Sequence, residues 1–160
     1  MTFCCRGVSA VILRKAGDGY RVLLAKRADS YEGAWCFVAG KIEQGEKAWQ
    51  AVLREIREET NLVPSALYSA DIFEQFYQPE HEWIWVAPVF VGFISEQQKV
   101  KLNEEHSDFR WFTMEEARQV VVFPGQRIIL EHIEKEFIQR EPCHWLKINT
   151  GGRTGPGARK

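Results

Sequence analysis

No two cysteines of this sequence form a C-x-x-C pair, which removes the usual zinc and dithiol-redox motifs. The four that occur are the adjacent Cys4 and Cys5, which would face opposite sides of a strand, and the isolated Cys36 and Cys143. With no signal-peptide pattern, and with cysteines inside apolar strand patterns, reduced core thiols and a cytoplasmic location are expected rather than disulfides. An excess of one charge is missing too. Against 21 basic residues stand 22 acidic ones, so no global field favours nucleic acid or an anionic membrane, and any phosphate binding must be local. The longest apolar run is too short and too interrupted to span a bilayer. Internal repeats and a second domain are also absent from the pattern. What the 160 residues do have is 45% hydrophobic content with 12% aromatics, enough for one substantial core.

The chemistry is concentrated in residues 40–62, G-K-I-E-Q-G-E-K-A-W-Q-A-V-L-R-E-I-R-E-E-T-N-L. On a helix, at about 100° per residue, Ala48, Ala51, Val52 and Ile56 form one apolar stripe. Glu55 and Glu59 project into that stripe and Glu58 onto its flank, while Lys47, Gln50, Arg54 and Arg57 share the opposite, solvent-facing side. A Glu-rich run is ordinarily a solvated helix face. The helical phase contradicts that here, because inward carboxylates repel one another and lose hydration unless a cation neutralises them. An all-oxygen cluster suits Mg²⁺ or Mn²⁺, hard ions that take a few carboxylates, keep several waters and complete their shell with substrate phosphates.

These residues resemble the Nudix box. Gly40, Glu46 and the run from Arg54-Glu55-Ile56 through Glu58-Glu59 to Leu62 match the family pattern G-x5-E-x7-R-E-U-x-E-E-x-G-U, where U is a bulky aliphatic residue. The one departure is Asn61 in place of the final Gly, and Asn also adopts the left-handed conformation that ends a helix. The resemblance covers roughly residues 7–137 and implies an α/β/α sandwich around a central mixed β-sheet. A single domain over 1–150 and a flexible, basic, Gly-rich tail over 151–160 are expected.

The rest of the chain fits such a fold. Residues 3–13 and 20–27 read as two strands linked at Gly17-Asp18-Gly19, residues 35–38 as a short extended run, and 66–77 and 82–94 as a long hairpin. Pro88 marks an edge or a bulge. A strand at 109–112 leads into a capping-box helix start at Thr113, and a helix over about 125–140 places Ile129, Ile133 and Phe137 on one core face.

The resemblance implies hydrolysis of a nucleoside diphosphate linked to another moiety. Glu55, Glu58 and Glu59 would hold divalent ions with the Gly40 carbonyl, and Arg54 would orient a box carboxylate. Glu105 is expected to add a further ligand, and His106 to orient its loop. Arg27, Lys26 and Lys41 flank the box, each either a phosphate contact or a surface charge. Trp35, Phe76, Trp83 and Trp85 are aromatics at strand spacing, either core or a platform for a base; of these Trp35 is the candidate for substrate stacking. Segments E-H-S-D-F-R-W-F and F-P-G-Q-R-I-I-L resemble the bacterial dihydroneopterin triphosphate and dATP pyrophosphohydrolases within the family. A nucleotide or pterin triphosphate is the expected substrate, in a monomer or homodimer. Dinucleoside polyphosphate, ADP-ribose and 8-oxo-dGTP remain open, as does a non-catalytic nucleotide-binding module, against which the complete carboxylate set argues.

Overall fold

Successive side chains of one strand build both halves of the interior. The structure, a computed structural model, describes residues 1–151; the expected tail lies outside the described residues from 152 onward. Along β2 (Gly7–Ala16), Val8, Ala10 and Ile12 point to one face of a sheet and Val11 and Leu13 to the other. The first set packs on α1 (Ala48–Thr60) through Ala51, Val52 and Ile56, each with no exposed surface. The second packs on Ala117 of α2 (Met114–Val120) and on Ile129, Leu130 and Ile133 of α3 (Pro124–Ile133). Helices therefore cover both faces, which is the α/β/α sandwich the sequence implies.

The remaining strands are β1 (Thr2–Cys4), β3 (Gly19–Arg27), β4 (Trp35–Cys36), β5 (Val38–Lys41), β6 (Ala66–Gln78), β7 (Trp83–Ile94) and β8 (His106–Phe112). β2 runs parallel to β7 and antiparallel to β3 and β5, so the sheet is mixed. β2 pairs with β3 through Ile12–Ala16 and with β5 through Gly7–Ala10, while β4 pairs with β3. Residues 35–41 thus fill the gap where β2 and β3 part, and this insertion carries Gly40 to the site.

Three local expectations change. The single strand read at 3–13 is two, because β1 pairs with Trp83–Trp85 and β2 with Val89–Ile94 of the same β7. Pro88 falls in the interval between those pairings, beside a register shift in β6, so an interior strand tolerates a residue without an N–H. Of the four cysteines, all free, only Cys4 and Cys36 are core thiols; Cys5 and Cys143 are exposed. The helix read at 125–140 widens after Ile133 into a π-helical turn, Glu134–Ile138, which still buries Phe137. No helix among the described residues is long and apolar enough to cross a membrane.

Candidate active site

Where β5 meets α1, the backbone of Gly40 lies against the carboxylate of Glu55. A Cβ on Gly40 would sit 2.0 Å from the Glu55 carboxyl carbon, so only glycine permits the approach. α1 begins after Lys47, whose N–H donates to the Gln50 side chain, and ends at Asn61, whose φ of 61° is the left-handed cap. This fixes the helical phase that turns Glu55 and Glu59 toward the sheet.

Arg54 does not stay on the solvent face that the helical wheel assigns to it. Its guanidinium folds back along the helix start: Nε and Nη2 donate to the two oxygens of Glu46 at 2.9 and 3.0 Å. Nη1 donates to Glu55 at 2.7 Å and to Glu58 at 3.2 Å, and Nη2 also reaches the Lys41 carbonyl at 2.8 Å. A wheel gives the direction of Cβ, not the destination of a long side chain with five fixed donors. Glu46, a fixed position of the box just before the helix, is the bidentate anchor of Arg54, and that pairing holds its carboxyl below the usual range. Its fixed position in the box was the available signal.

Glu59 is 2% exposed, and its Oε2 has no hydrogen-bond partner among the described residues. Burial first, then the neighbouring Glu105 and Glu55 carboxylates, push its pKa up to about 9 against the opposing pull of Arg27. Burial likewise raises Glu55, offset by Arg54. Glu105 reaches the same place from the loop before β8, where its carbonyl accepts from the Ala28 N–H at 3.0 Å. Glu59, Glu105 and His106 present ligand atoms that all lie within 4.8 Å of one another. His106 is buried with Nδ1 unpartnered among the described residues, and burial followed by Arg27 holds its imidazole below the ordinary pKa. The sequence reading gave His106 only a loop-orienting role. Glu58 stays at the rim, its side chain 56% exposed, tethered by Arg54.

Two carboxylates this close must share a proton or a cation. Glu59 and Glu105, with Glu55 in the field of both and one Glu59 oxygen buried without a partner among the described residues, make a donor set that fits a hard divalent ion.

The other candidates are dispersed around this cluster. Arg27 ends β3 and folds onto its own loop, donating to the Ser30 carbonyl and hydroxyl at 2.7 Å each and pairing with Asp29 at 3.4 Å. Lys41 contributes its carbonyl to Arg54, and its side chain is exposed. Trp35 packs edge-on against Phe112 of the α2/α3 core, with the Lys26 ammonium 5.8 Å above its ring. By contrast Phe76 is 45% exposed and stacked on Trp85.

A family model described as the NUDIX domain matches residues 5–135. The chain belongs to the NUDIX family. That match takes in β5, the NUDIX helix α1 and the Glu105–His106 loop together. Over 129 residues the chain is 33% identical to an octanoyltransferase of Myxococcus xanthus, covering 76% of this chain but 34% of that protein. It is 33% identical over 105 residues to nucleoside triphosphatase NudI of Escherichia coli, covering 59% of this chain and 74% of NudI. The fold of an Ap4A hydrolase from Caenorhabditis elegans superposes with a TM-score of 0.72 at 22% identity, over 82% of this chain and 96% of that one. This NUDIX chain thus spans about a third of one curated relative and about three quarters of another.

Proposed function

We propose that the protein is a divalent-metal-dependent pyrophosphohydrolase that cleaves a nucleoside triphosphate or dihydroneopterin triphosphate to the monophosphate and pyrophosphate. The observation that carries this is Glu59, a buried carboxylate with an unpaired oxygen, set beside Glu105 and within the field of Glu55. Such a cluster is costly unless its purpose is to hold a cation. The likeness to NudI, a nucleoside triphosphatase by name, supports the substrate class.

Glu55, Glu58, Glu59, Glu105 and the Gly40 carbonyl would hold Mg²⁺ or Mn²⁺. A divalent ion there supplies charge neutralisation for the phosphoanhydride and lowers the pKa of water. The protein's own residues do the positioning. Arg54, locked by Glu46, holds Glu55 and Glu58 at fixed distances, so two carboxylates are oriented before any ligand arrives. Glu59, whose pKa is raised to about 9 by burial and by Glu105, would have to give up its proton for a cation to bind there. Arg27, tied to Ser30 and Asp29 but close enough for its charge to act on Glu59, would turn to meet the substrate's phosphates.

The test is a panel of nucleoside and pterin triphosphates, dinucleoside polyphosphates and ADP-ribose with Mg²⁺ or Mn²⁺, followed by product analysis. Pyrophosphate release from a triphosphate is expected. Protein that binds nucleotides yet releases neither pyrophosphate nor phosphate from any of them is a binding module.

A further inference from the structure

Where β8 begins, beside the carboxylate cluster, its pairing with β3 slips by one residue. Asp108 to Phe112 pair one for one with Lys26 to Val22, but the next residue of β3, Arg27, partners His106, so Ser107 is an extra residue in a bulge. In an unbroken strand His106 would share the face of Asp108, Arg110 and Phe112, and Phe112 lies in the core under α2 and α3. The bulge gives it instead the face of Arg27, Ala25 and Leu23, and Leu23 packs in the core under α1. That is the face on which α1 presents Glu59. Bulges beside active sites re-aim a side chain in this way.

His106 is 7% exposed, its Nδ1 has no hydrogen-bond partner among the described residues, and it offers a ring nitrogen within 4.8 Å of carboxylate oxygens of Glu59 and Glu105. A buried imidazole that served only to orient its loop would bond to that loop with the polar atoms it buries. Two ligands of one ion lie at most about 4.2 Å apart, twice a bond of about 2.1 Å, so small side-chain rotations bring the three groups onto one ion. The two carboxylates balance a divalent charge, and the imidazole adds a donor without adding charge. Oxygen ligands alone suit Mg²⁺, whereas a nitrogen shifts the preference toward first-row transition ions.

We propose that Glu59, Glu105 and His106 form a mixed oxygen and nitrogen position in which His106 is a direct ligand, so that it takes a first-row transition ion such as Mn²⁺ or Co²⁺ in preference to Mg²⁺. This rests on the reading of the inward carboxylates as a metal site, and adds to it a donor and a choice of ion. Glu55 and Glu58, held by Arg54, remain oxygen donors for a hard ion.

The test uses the full chain, stripped of metal, and reads the ion rather than turnover. Mn²⁺ is added to protein with and without isotopically labelled histidine, and pulsed electron paramagnetic resonance detects coupling of the ion to a histidine nitrogen. Coupling in wild type that is lost in His106→Asn and kept in His81→Asn, His132→Asn and His144→Asn is the expected result. In equilibrium dialysis, His106→Asn should weaken Co²⁺ binding about tenfold or more and change Mg²⁺ binding less than about threefold, since only the transition ion gains from the nitrogen. The thermal midpoint in EDTA shows whether His106→Asn folds. If it does not, coupling kept in all three other histidine variants assigns the nitrogen to His106 by exclusion. Mn²⁺ that binds wild type with no nitrogen coupling overturns the proposal and leaves the metal site standing, as does coupling that persists in folded His106→Asn. Equal losses of Mg²⁺ and Co²⁺ binding also overturn it, because His106 would then act only by holding the Glu105 loop. If Mg²⁺, Mn²⁺ and Co²⁺ all fail to bind wild type, the metal site itself is refuted and this proposal with it.

Discussion

Glu59 is buried with one oxygen unpaired, and burial with Glu105 raises its pKa from 4.5 to about 9. Between those values the folded state holds a proton that the unfolded state has released, so stability from this group is complete below 4.5 and is lost as pH rises through 9. In EDTA, the thermal midpoint of Glu59→Gln should therefore gain on wild type as pH rises across that window. A constant difference between the two proteins would place the cost elsewhere. With metal present the same substitution removes a charge aimed at the cation, and activity should fall about a hundredfold, as for loss of a key electrostatic group. Glu43→Gln, at a side chain 70% exposed and 3.9 Å from Arg54, should lose far less. Equal losses at the two positions would undo the assignment. Arg54→Lys keeps the charge but cannot form the two-pronged contact with Glu46 while also reaching Glu55 and Glu58. Its rate should drop about tenfold to a hundredfold, as when an outer-shell partner of a metal site is lost, with the fold retained by circular dichroism.

At the level of elements, α1 is set by its two ends. The cap at Asn61 has φ 61° and ψ 14°, a conformation in which a side chain other than Asn is strained. Asn61→Gly, which restores the family's usual residue, should leave denaturant stability within about 0.5 kcal/mol of wild type, whereas Asn61→Ala should cost about 1 kcal/mol. The reverse order would mean that the Asn side chain itself does the capping. At the other end, Gly40→Ala puts a methyl group into the Glu55 carboxylate and should displace it. Activity and metal-induced stabilisation should fall together, because β5 and α1 set the same contact; a rate loss with full metal stabilisation would separate them. The capping box of α2, Thr113 with Glu116, formed as its four residues specify, since those hydrogen bonds close within one turn.

For the molecule as a whole, a divalent ion that binds only the folded state should raise stability by about 2.7 kcal/mol at about 100 times its dissociation constant. Mg²⁺ or Mn²⁺ should thus raise the thermal midpoint and EDTA lower it again. A midpoint indifferent to both across weakly acidic to neutral pH would mean that the inward carboxylates are not a metal site. The carboxylate phase of α1 and the Asn61 stop were legible in the sequence, because each rests on a period or a cap spanning a few neighbours. The helical wheel puts Arg54 on the solvent face and does not show that Glu46 is its partner, because a long side chain can span a turn and a loop. Aromatic spacing could not tell Trp35, packed on Phe112, from Phe76, open to solvent. What separates them is which parts of the sheet α1, α2 and α3 leave uncovered. That is decided by non-local pairing: β1 and β2 sharing one edge of β7, and residues 35–41 inserted between β2 and β3. Alternation along a strand says that a side chain leaves the sheet on a given face, and only the packed tertiary structure determines whether a helix or an open cleft meets it there.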